Sequence, residues 1–260
     1  MREKNIKLYF HLKTKRLYEF LIQVKLRLRR TRHQKEWARV LEMSKAQDKF
    51  TTIYKKRLWK GSESVSGFGS GYKYTENLRN DLPRVITQLG VSRIFDAGCG
   101  DFNWMKSVIS SLQIDYLGVD IVEDLIAENN QIHANERIKF AVFDITQNSI
   151  PKAELIICRD VLFHLSNHLI LAAMQNFLDS GANYFLLTSH VNFGDFKNTD
   201  IVTGDFRRLD IFSSPFSFPK EYLYEVEDWM YPDPPRKMHL FSREQFSKGL
   251  MHFNLLDNKI

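Results

Sequence analysis

The sequence predicts a doubly wound α/β fold on a largely parallel sheet, and three observations carry that prediction. From Arg93 onward, short apolar runs alternate with helix-length stretches. Three of the runs end in, or are followed by, an acid: Asp96, Asp120 and Asp144, each 24 residues from the next. One strand–helix–return repeat takes about that length, so the three carboxylates fall at one edge of the sheet. Residues Arg93–Trp104, RIFDAGCGDFNW, read as a strand, a turn with Gly98 and Gly100, and a helix start. Glycine lacks a Cβ, so such a turn lets a bound molecule approach the backbone. Ligands of these sheets bind at the carboxyl ends of the strands.

Composition narrows the classes. A chain of 260 residues with 43% apolar content can bury one large core plus an appendage. Two cysteines, Cys99 and Cys158, make no disulfide framework and suit a reducing compartment. The first residues alternate charged and apolar groups, without the apolar core of a signal peptide. No stretch is long and apolar enough to span a membrane, and the expected location is cytoplasmic. The net charge of +6 hides a division: residues 1–35 hold 12 Lys or Arg against 2 acids, and the remainder holds 25 against 29. A mildly acidic main domain argues against a cleft that grips nucleic acid, so no nucleic-acid partner is expected.

Residues 4–47 contain no proline or glycine and read as helix, with Ile6, Phe10, Leu17, Leu21, Val24 and Leu28 on one stripe. Basic residues fill much of the other face. One reading packs this arm on the domain or on a second subunit; the other lays residues 1–35 on an anionic membrane surface. The first is favoured because packed amphipathic helices are far commoner. From Gln47 to Tyr54 the chain reads as less regular. Trp59–Tyr74, WKGSESVSGFGSGYKY, reads as a loop. Its interleaved Trp59, Phe68, Tyr72 and Tyr74 set it apart from a flexible linker and point to an ordered loop over a ligand. Thr75–Gly90 reads as a helix with Thr75 as N-cap, Leu78, Leu82, Val85, Ile86 and Leu89 inward, and Gly90 as its stop.

Strands follow at Arg93–Asp96, Tyr116–Asp120, Lys139–Phe143, Glu154–Cys158 and Tyr184–Thr188. Helices are expected over Glu123–Ala134 and Asn167–Ser180, and two last strands over Tyr222–Asp228 and Lys237–Phe241. The nearest competing motif is the dinucleotide fingerprint G-x-G-x-x-G. Here its third glycine position holds Asn103, and an acid precedes the glycines.

The acid followed by G-x-G at Asp96–Gly100 resembles motif I of the class I S-adenosylmethionine-dependent methyltransferases. The segment Asp160-Val161-Leu162-Phe163-His164-Leu165 matches the D-V-L-x-H-L pattern found after the fourth strand in that family. The closest likeness is to a bacterial group with a Ser-Gly-x-Gly-Ser loop, here Ser66–Ser70, and a Cys-Gly-Asp-Phe-x-Trp-Met turn, here Cys99–Met105. The likeness covers roughly Tyr54 to the end. It implies a Rossmann-like, seven-stranded, mostly parallel sheet with an antiparallel last strand, preceded here by the N-terminal helical arm. It also implies S-adenosylmethionine as cofactor. Asp120 would accept from the ribose hydroxyls, with Ile121 beside it. Asp144 would take the adenine amino group while Ile145 packs on the ring. Asp96, Gly98 and Gly100 would face the amino-acid end, and Arg159 and Asp160 would lie near the methyl group. The bacterial group is associated with surface-polysaccharide or small-molecule modification.

The stretch His190–Pro219 is long for a connection and mixes His190, Asn192, Asn198, Asp200, Arg207 and Asp210 with Phe193, Phe196, Phe206, Phe212, Phe216 and Phe218. Polar groups among ring faces suit a saccharide; a structural loop packed by its phenylalanines is the alternative. If the acceptor is a hydroxyl, a base helps remove its proton. His190, directly after the fifth strand, is the first candidate and Asp160 the second. His164 reads more readily as a histidine satisfied by backbone at a helix start. Scattered His and Asp residues lack metal-ligand spacing, so no metal is expected.

The expected organisation is a basic helical arm over residues 1–50, a loop and lead-in helix over 51–92, and a cofactor-binding methyltransferase domain over 93–260 with a substrate loop at 190–219. The expected activity is methyl transfer by in-line displacement to a small or glycan-type acceptor at a hydroxyl. The alternatives are a non-catalytic cofactor-binding subunit and, more remotely, a nicotinamide-dependent oxidoreductase.

Overall fold

The computed structural model describes residues 33–59, 61–192 and 195–257. The chain divides into two compact units, Met1–Met43 and Ser44–Ile260. In the first, residues 33–41 are helical, with His33 stacked on Trp37 at 5.7 Å. The stripe from Ile6 to Leu28 and nearly all of the basic arm lie outside the described residues. Among the described residues, no helix is long and apolar enough to cross a membrane.

Helix α1 occupies Ala46–Lys55, where the sequence reads as irregular, and the expected unbroken helix to residue 47 is interrupted at residues 42–45. Lys45 at the N-cap supplies no side-chain cap bond, so the usual start signal is missing. Helix α2, Glu76–Leu89, buries Leu78, Leu82, Val85 and Ile86, and Gly90 closes it in the left-handed region at φ 64°. Thr75 precedes it as expected, but its hydroxyl donates backward to the carbonyls of Gly71 and Tyr72 instead of capping the helix.

The strands are β1 Arg93–Ala97, β2 Asp115–Asp120, β3 Ile138–Val142, β4 Leu155–Cys158, β5 Tyr184–His190, β6 Tyr224–Glu227 and β7 Arg236–Ser242. They form one seven-stranded sheet in the order β3-β2-β1-β4-β5-β7-β6. β7 runs antiparallel to both β5 and β6, and the other pairs are parallel. The predicted fold class is therefore the observed one. β5 runs two residues further than expected, so His190 ends the strand and pairs with Arg236. β1 and β4 are neighbours, with Asp96 opposite Ile157. Cys99 and Cys158 are both buried free thiols near the ends of those adjacent strands.

The connecting helices are α3 Met105–Ile109, α4 Glu123–His133, α5 Asn167–Asp179 and α6 Arg243–Asp257. Alternation along the strands sorts side chains into two cores. On one face Ile94, Leu155, Ile157 and Leu186 pack with α2 and α3; on the other Phe95, Ile156, Phe185 and Leu187 pack with α5 and α6. A sheet covered on both faces needs apolar runs, not alternating polarity, and the strand sequences show such runs.

The stretch after β5 is part of this core. Leu209, Ile211, Phe216 and Phe218 pack with α6 and β7. Gly249 in α6 makes room for them: a Cβ there would lie 2.2 Å from the Phe218 ring. Phe218 is itself wedged against Phe241 and Phe246, at 5.8 Å from each. In an open helix, Gly→Ala stabilises by about 1 kcal/mol. Gly249→Ala should instead destabilise by about 1–3 kcal/mol, the usual cost of overpacking; denaturant unfolding that showed a gain would contradict this packing.

Candidate active site

The carboxyl ends of β1, β2 and β4 open into one cavity of about 1160 Å³, mouth included. Its floor is the turn after β1. Gly98 and Gly100 sit at φ 83° and 55°, a region other residues enter at a cost. The turn is pinned because the Gly98 and Cys99 N–H groups both donate to the Val119 carbonyl at 2.9 Å. The missing side chains also serve protein packing. A Cβ at Gly98 would meet Val161, and one at Gly100 would meet the Ser66 hydroxyl, each at 2.2 Å.

That second contact shows why the Gly/Ser/aromatic stretch is ordered. The Asp101 N–H donates to Ser66 Oγ at 3.1 Å, and the Val65 N–H donates to the Asp101 carboxylate at 2.9 Å. Asn103 donates to the Ser70 carbonyl at 3.0 Å. The loop is thus strapped onto the glycine turn, and Trp59, Val65, Ser66 and Ser70 line the cavity. Ala46, Phe50 and Tyr54 line it too, spaced four apart along one face of α1. Sequence reading missed this wall. The four-residue spacing was the signal available, masked by the charged residues between.

All three strand-end acids line the cavity, but their environments differ. Asp120 accepts from the Val122 N–H at 3.1 Å. Burial pushes its carboxyl up to about 6, against the N–H groups of Val122, Gly100 and Ile121. Asp96 is 4% exposed, and burial pushes it up to about 7, against a hydrogen bond from Tyr116. Asp144 spends its oxygens on its own turn, accepting from the Thr146 N–H and hydroxyl at 2.9 and 2.6 Å and from Gln147 at 2.8 Å. Ile121 and Ile145 line the wall beside Leu165 and Leu169.

Arg159 and Asp160 follow β4. The Arg159 guanidinium is buried and forks onto Asp228, with both bonds at 2.8 Å. The same side chain donates to the Gly69 carbonyl at 2.7 Å, approaches Asp160 at 3.5 Å, and lies over the Trp104 ring at 5.2 Å. Arg236 completes the group, 2.8 Å from Asp160 and 3.6 Å from Asp228. Asp160 itself adopts φ 58°. Burial alone would raise its carboxyl, but Arg159 and Arg236 outweigh burial and hold it below the usual carboxylate range. It is an ionised group at neutral pH.

His190 does not stand at the cavity. It is 2% exposed and absent from the cavity wall. Its Nδ1 accepts from the Leu209 N–H at 3.1 Å, and its ring packs on Phe163 at 5.4 Å. Burial, then Arg236, pushes its imidazole down to about 4. His164 does line the cavity. Its Nδ1 lies 2.8 Å from the Asp205 carbonyl, and Trp59 covers its ring at 5.1 Å. A carbonyl only accepts, so Nδ1 carries the proton and Nε2 keeps its lone pair. Burial lowers its pKa, which favours this neutral form.

Several polar groups read from the sequence as acceptor contacts instead build the loop that carries them. Asn198 donates to the carbonyls of Asp210, Ser213 and Ser214 at 2.8, 3.1 and 3.0 Å and accepts from the Asp210 N–H at 2.9 Å. Arg207 donates to Asn167, Thr199 and Leu165 at 2.8, 2.6 and 2.9 Å. Asp200 receives the Asn167 and Ile201 N–H groups at 2.7 and 2.8 Å. Of the ring set, Phe216 and Phe218 are core and Phe206 is half exposed beside His164. Phe193 lies outside the described residues. Among the described residues, no group of three or more His, Cys, Asp or Glu could hold a metal ion.

Comparison with known proteins places this architecture. The family model described as "Methyltransferase domain" matches residues 72–256. No curated protein matches the sequence. Among solved structures, a Leishmania major SAM-dependent methyltransferase is similar over 80% of this chain and 90% of its own, at 18% identity and TM-score 0.57. Magnesium protoporphyrin IX methyltransferase of Synechocystis PCC 6803, with bound SAH, is similar over 75% of this chain and 98% of its own, at 12% identity and TM-score 0.52. N-methyltransferase NodS of Bradyrhizobium japonicum WM9, also with SAH, covers 74% and 97% at 14% identity and TM-score 0.50. At these identities the structural likeness speaks for the fold. The family match spans well over half of the chain, so the protein belongs to the methyltransferase domain family, whose cofactor is S-adenosylmethionine.

Proposed function

We propose that this chain transfers a methyl group from S-adenosylmethionine to the hydroxyl of a small or saccharide-type acceptor. The observation that carries the reading is one cavity whose wall brings together strand-end acids, apolar side chains and His164. The cofactor's chemistry fits the wall. Asp120, held by backbone N–H groups, keeps acceptor capacity for ribose hydroxyls, two donors facing a two-oxygen acceptor. Ile121, Ile145, Leu165, Leu169 and Phe50 form the apolar slot for adenine. Gly98, Gly100 and Asp96 face the amino-acid end, with Asp96 toward its α-ammonium group. Asp144 closes the slot through its turn, since its oxygens are already engaged, and Arg159 supports the cavity through its ion pairs. When bound, S-adenosylmethionine supplies an electrophilic methyl group on a positively charged sulfur.

The chain's residues then have three tasks. The strapped loop and α1 exclude water and align the acceptor. His164 takes the acceptor's proton at Nε2, with Nδ1–H anchored on Asp205 to fix the ring. Asp160, ionised and held by Arg236, accepts a hydrogen bond from a neighbouring hydroxyl and stabilises the imidazolium that forms. Trp59 and the half-exposed Phe206 present ring faces beside His164, which suits the C–H surface of a sugar. Five acids line the cavity against one arginine whose nitrogens are engaged, so phosphate backbones are repelled and a neutral acceptor is favoured.

Two measurements test the reading. Calorimetry with S-adenosylhomocysteine should show Asp120→Ala binding weaker by about 1.5–3 kcal/mol, the cost of losing charged hydrogen bonds; unchanged affinity would remove the ribose assignment. Labelled methyl transfer should proceed with neutral glycan fragments and not with tRNA. In that assay His164→Ala should lower turnover by about 10²–10⁴-fold and leave S-adenosylhomocysteine affinity nearly unchanged. At saturating cofactor, the acid limb of turnover should lie below the ordinary histidine value of 6.5, because burial lowers the pKa of His164. His190→Ala should chiefly lower thermal stability. The reverse pattern would return the base role to His190, and cofactor binding without transfer to any acceptor would favour a non-catalytic subunit.

A further inference from the structure

Tyr116 lies behind the cavity and has no part in the reaction outlined above. It is 2% exposed and packs on Phe102 and Phe140, with ring centroids at 5.0 and 6.0 Å. Its position in β2 pairs with Ile94 of β1, two residues before Asp96. Its hydroxyl nevertheless reaches Asp96 and donates to Oδ2 at 2.6 Å. The reach depends on Gly118, the next residue on the same face of β2. A Cβ there would lie 2.9 Å from Tyr116 Cε1, 2.9 Å from the Phe140 ring and 3.0 Å from Cys99 Cβ. The bare glycine is the gap along which the tyrosine ring extends toward the cavity floor.

The groups facing Asp96 are few. Tyr116 and Asp120 come from β2, Arg159 from the end of β4, and the Cys99 and Cys158 thiols from the turn and from β4. The Arg159 guanidinium is committed to Asp228 and the Gly69 carbonyl. Among the described residues, no cation pairs directly with Asp96. A buried carboxylate without a cation is costly unless hydrogen bonds or a ligand compensate it. Tyr116 can only donate here, because burial and Asp96 push its hydroxyl pKa well up. The cavity floor therefore holds an acid with one protein donor behind it and open space for a cation in front.

We infer that Tyr116 is a positioning residue: it never touches the cofactor, but its hydroxyl holds Asp96 as an oriented anion for the α-ammonium group of the cofactor's amino-acid end. The inference rests on the cofactor reading of the cavity. The shift of Asp96 to about 7 is consistent with it, since the hydrogen bond from Tyr116 opposes the effect of burial. A tyrosine that merely fills space would leave the ionisation of Asp96 alone.

The test compares Tyr116→Phe with the unsubstituted chain in calorimetric titrations from about pH 5.5 to 8.5. The probes are S-adenosylhomocysteine, which has the amino-acid end, and 5′-methylthioadenosine, which lacks it. The unsubstituted chain should bind S-adenosylhomocysteine more tightly as pH rises through about 7 and then level off. In Tyr116→Phe that limb should move up by roughly one pH unit, so affinity at pH 7 falls by up to about tenfold and returns by pH 8.5. Binding of 5′-methylthioadenosine should keep only the lower limb of Asp120, near 6, and should not move. Loss of affinity at every pH, equal shifts for both probes, or no shift would each overturn the inference. Asp96→Asn gives a second check that does not depend on the folding of the tyrosine variant: the limb near 7 must vanish, and its persistence would also overturn the inference. Failure of the unsubstituted chain to bind either probe would overturn the cofactor reading, and this inference with it.

Discussion

The fork of Arg159 onto Asp228 joins four segments that are far apart in sequence. The arginine follows β4, the aspartate follows β6, the Gly69 carbonyl belongs to the lead-in loop, and Trp104 starts the helix after the glycine turn. Arg236 and Asp160 extend the pair into a balanced group of two cations and two anions. Burying such a group gains little net stability, because desolvation cancels much of the attraction. Removing one member is different, since it leaves an uncompensated charge in the interior, at about 3–5 kcal/mol. An apolar cluster of similar volume would hold these segments together as well. It would not leave an ionised carboxylate, Asp160, at a fixed place on the cavity wall, nor hold the lead-in loop down through a backbone carbonyl.

Much of the fold was legible in the sequence, for a simple reason. A parallel sheet covered on both faces needs continuous apolar strands, and Ile94-Phe95, Leu155-Ile156-Ile157 and Phe185-Leu186-Leu187 alternate between two cores without a polar interruption. Gly90 and Gly98 marked turns because their backbone needs φ above zero. What failed was local. Helix α1 has no capping residue, and six of its ten residues, Gln47, Asp48, Lys49, Thr51, Thr52 and Lys55, are polar among the apolar ones. β5 runs to His190 because Thr188 and Ser189 stay buried through tertiary hydrogen bonds, to Asp160 and Ile211, and single-sequence patterning cannot see such partners.

The site was legible in part, and the division follows from where polar groups find partners. Strand-end acids stand at the cavity because topology puts them there. Polar residues in a long loop must first satisfy that loop's own backbone. Asn198, Asp200, Arg207 and Asp210 do so, each bonding main-chain groups near it. Their composition looked like a binding surface, yet it is the mortar of a packed connection whose phenylalanines join the core. The same logic separates the two histidines. His190 is buried with Nδ1 tied to the Leu209 backbone and does not line the cavity, whereas His164 lines it, with Nδ1 tied to the Asp205 carbonyl and the other nitrogen available. Sequence placed His164 six residues past the fourth strand, at a helix start, but nothing in it revealed which ring nitrogen would be tied.

Four of the five aspartates that line the cavity show how far environment, and not residue type, sets a role. Asp144 folds back on its own turn and serves as structure. Asp120 is pushed up by burial but held by backbone N–H groups, so it is a rigid acceptor that remains mostly charged near neutrality. Asp160 is drawn the other way by two guanidiniums, which hold its carboxyl below the usual carboxylate range. A carboxylate stabilised that firmly is a poor proton acceptor, which argues for the imidazole beside it as the base and for Asp160 as the fixed charge that favours its protonated product. Asp96 has no guanidinium of its own and remains the acid whose charge most depends on what binds. A cation arriving at the cavity floor would therefore meet a group that gains by its arrival, because ionisation of a buried acid and binding of its counter-charge are linked.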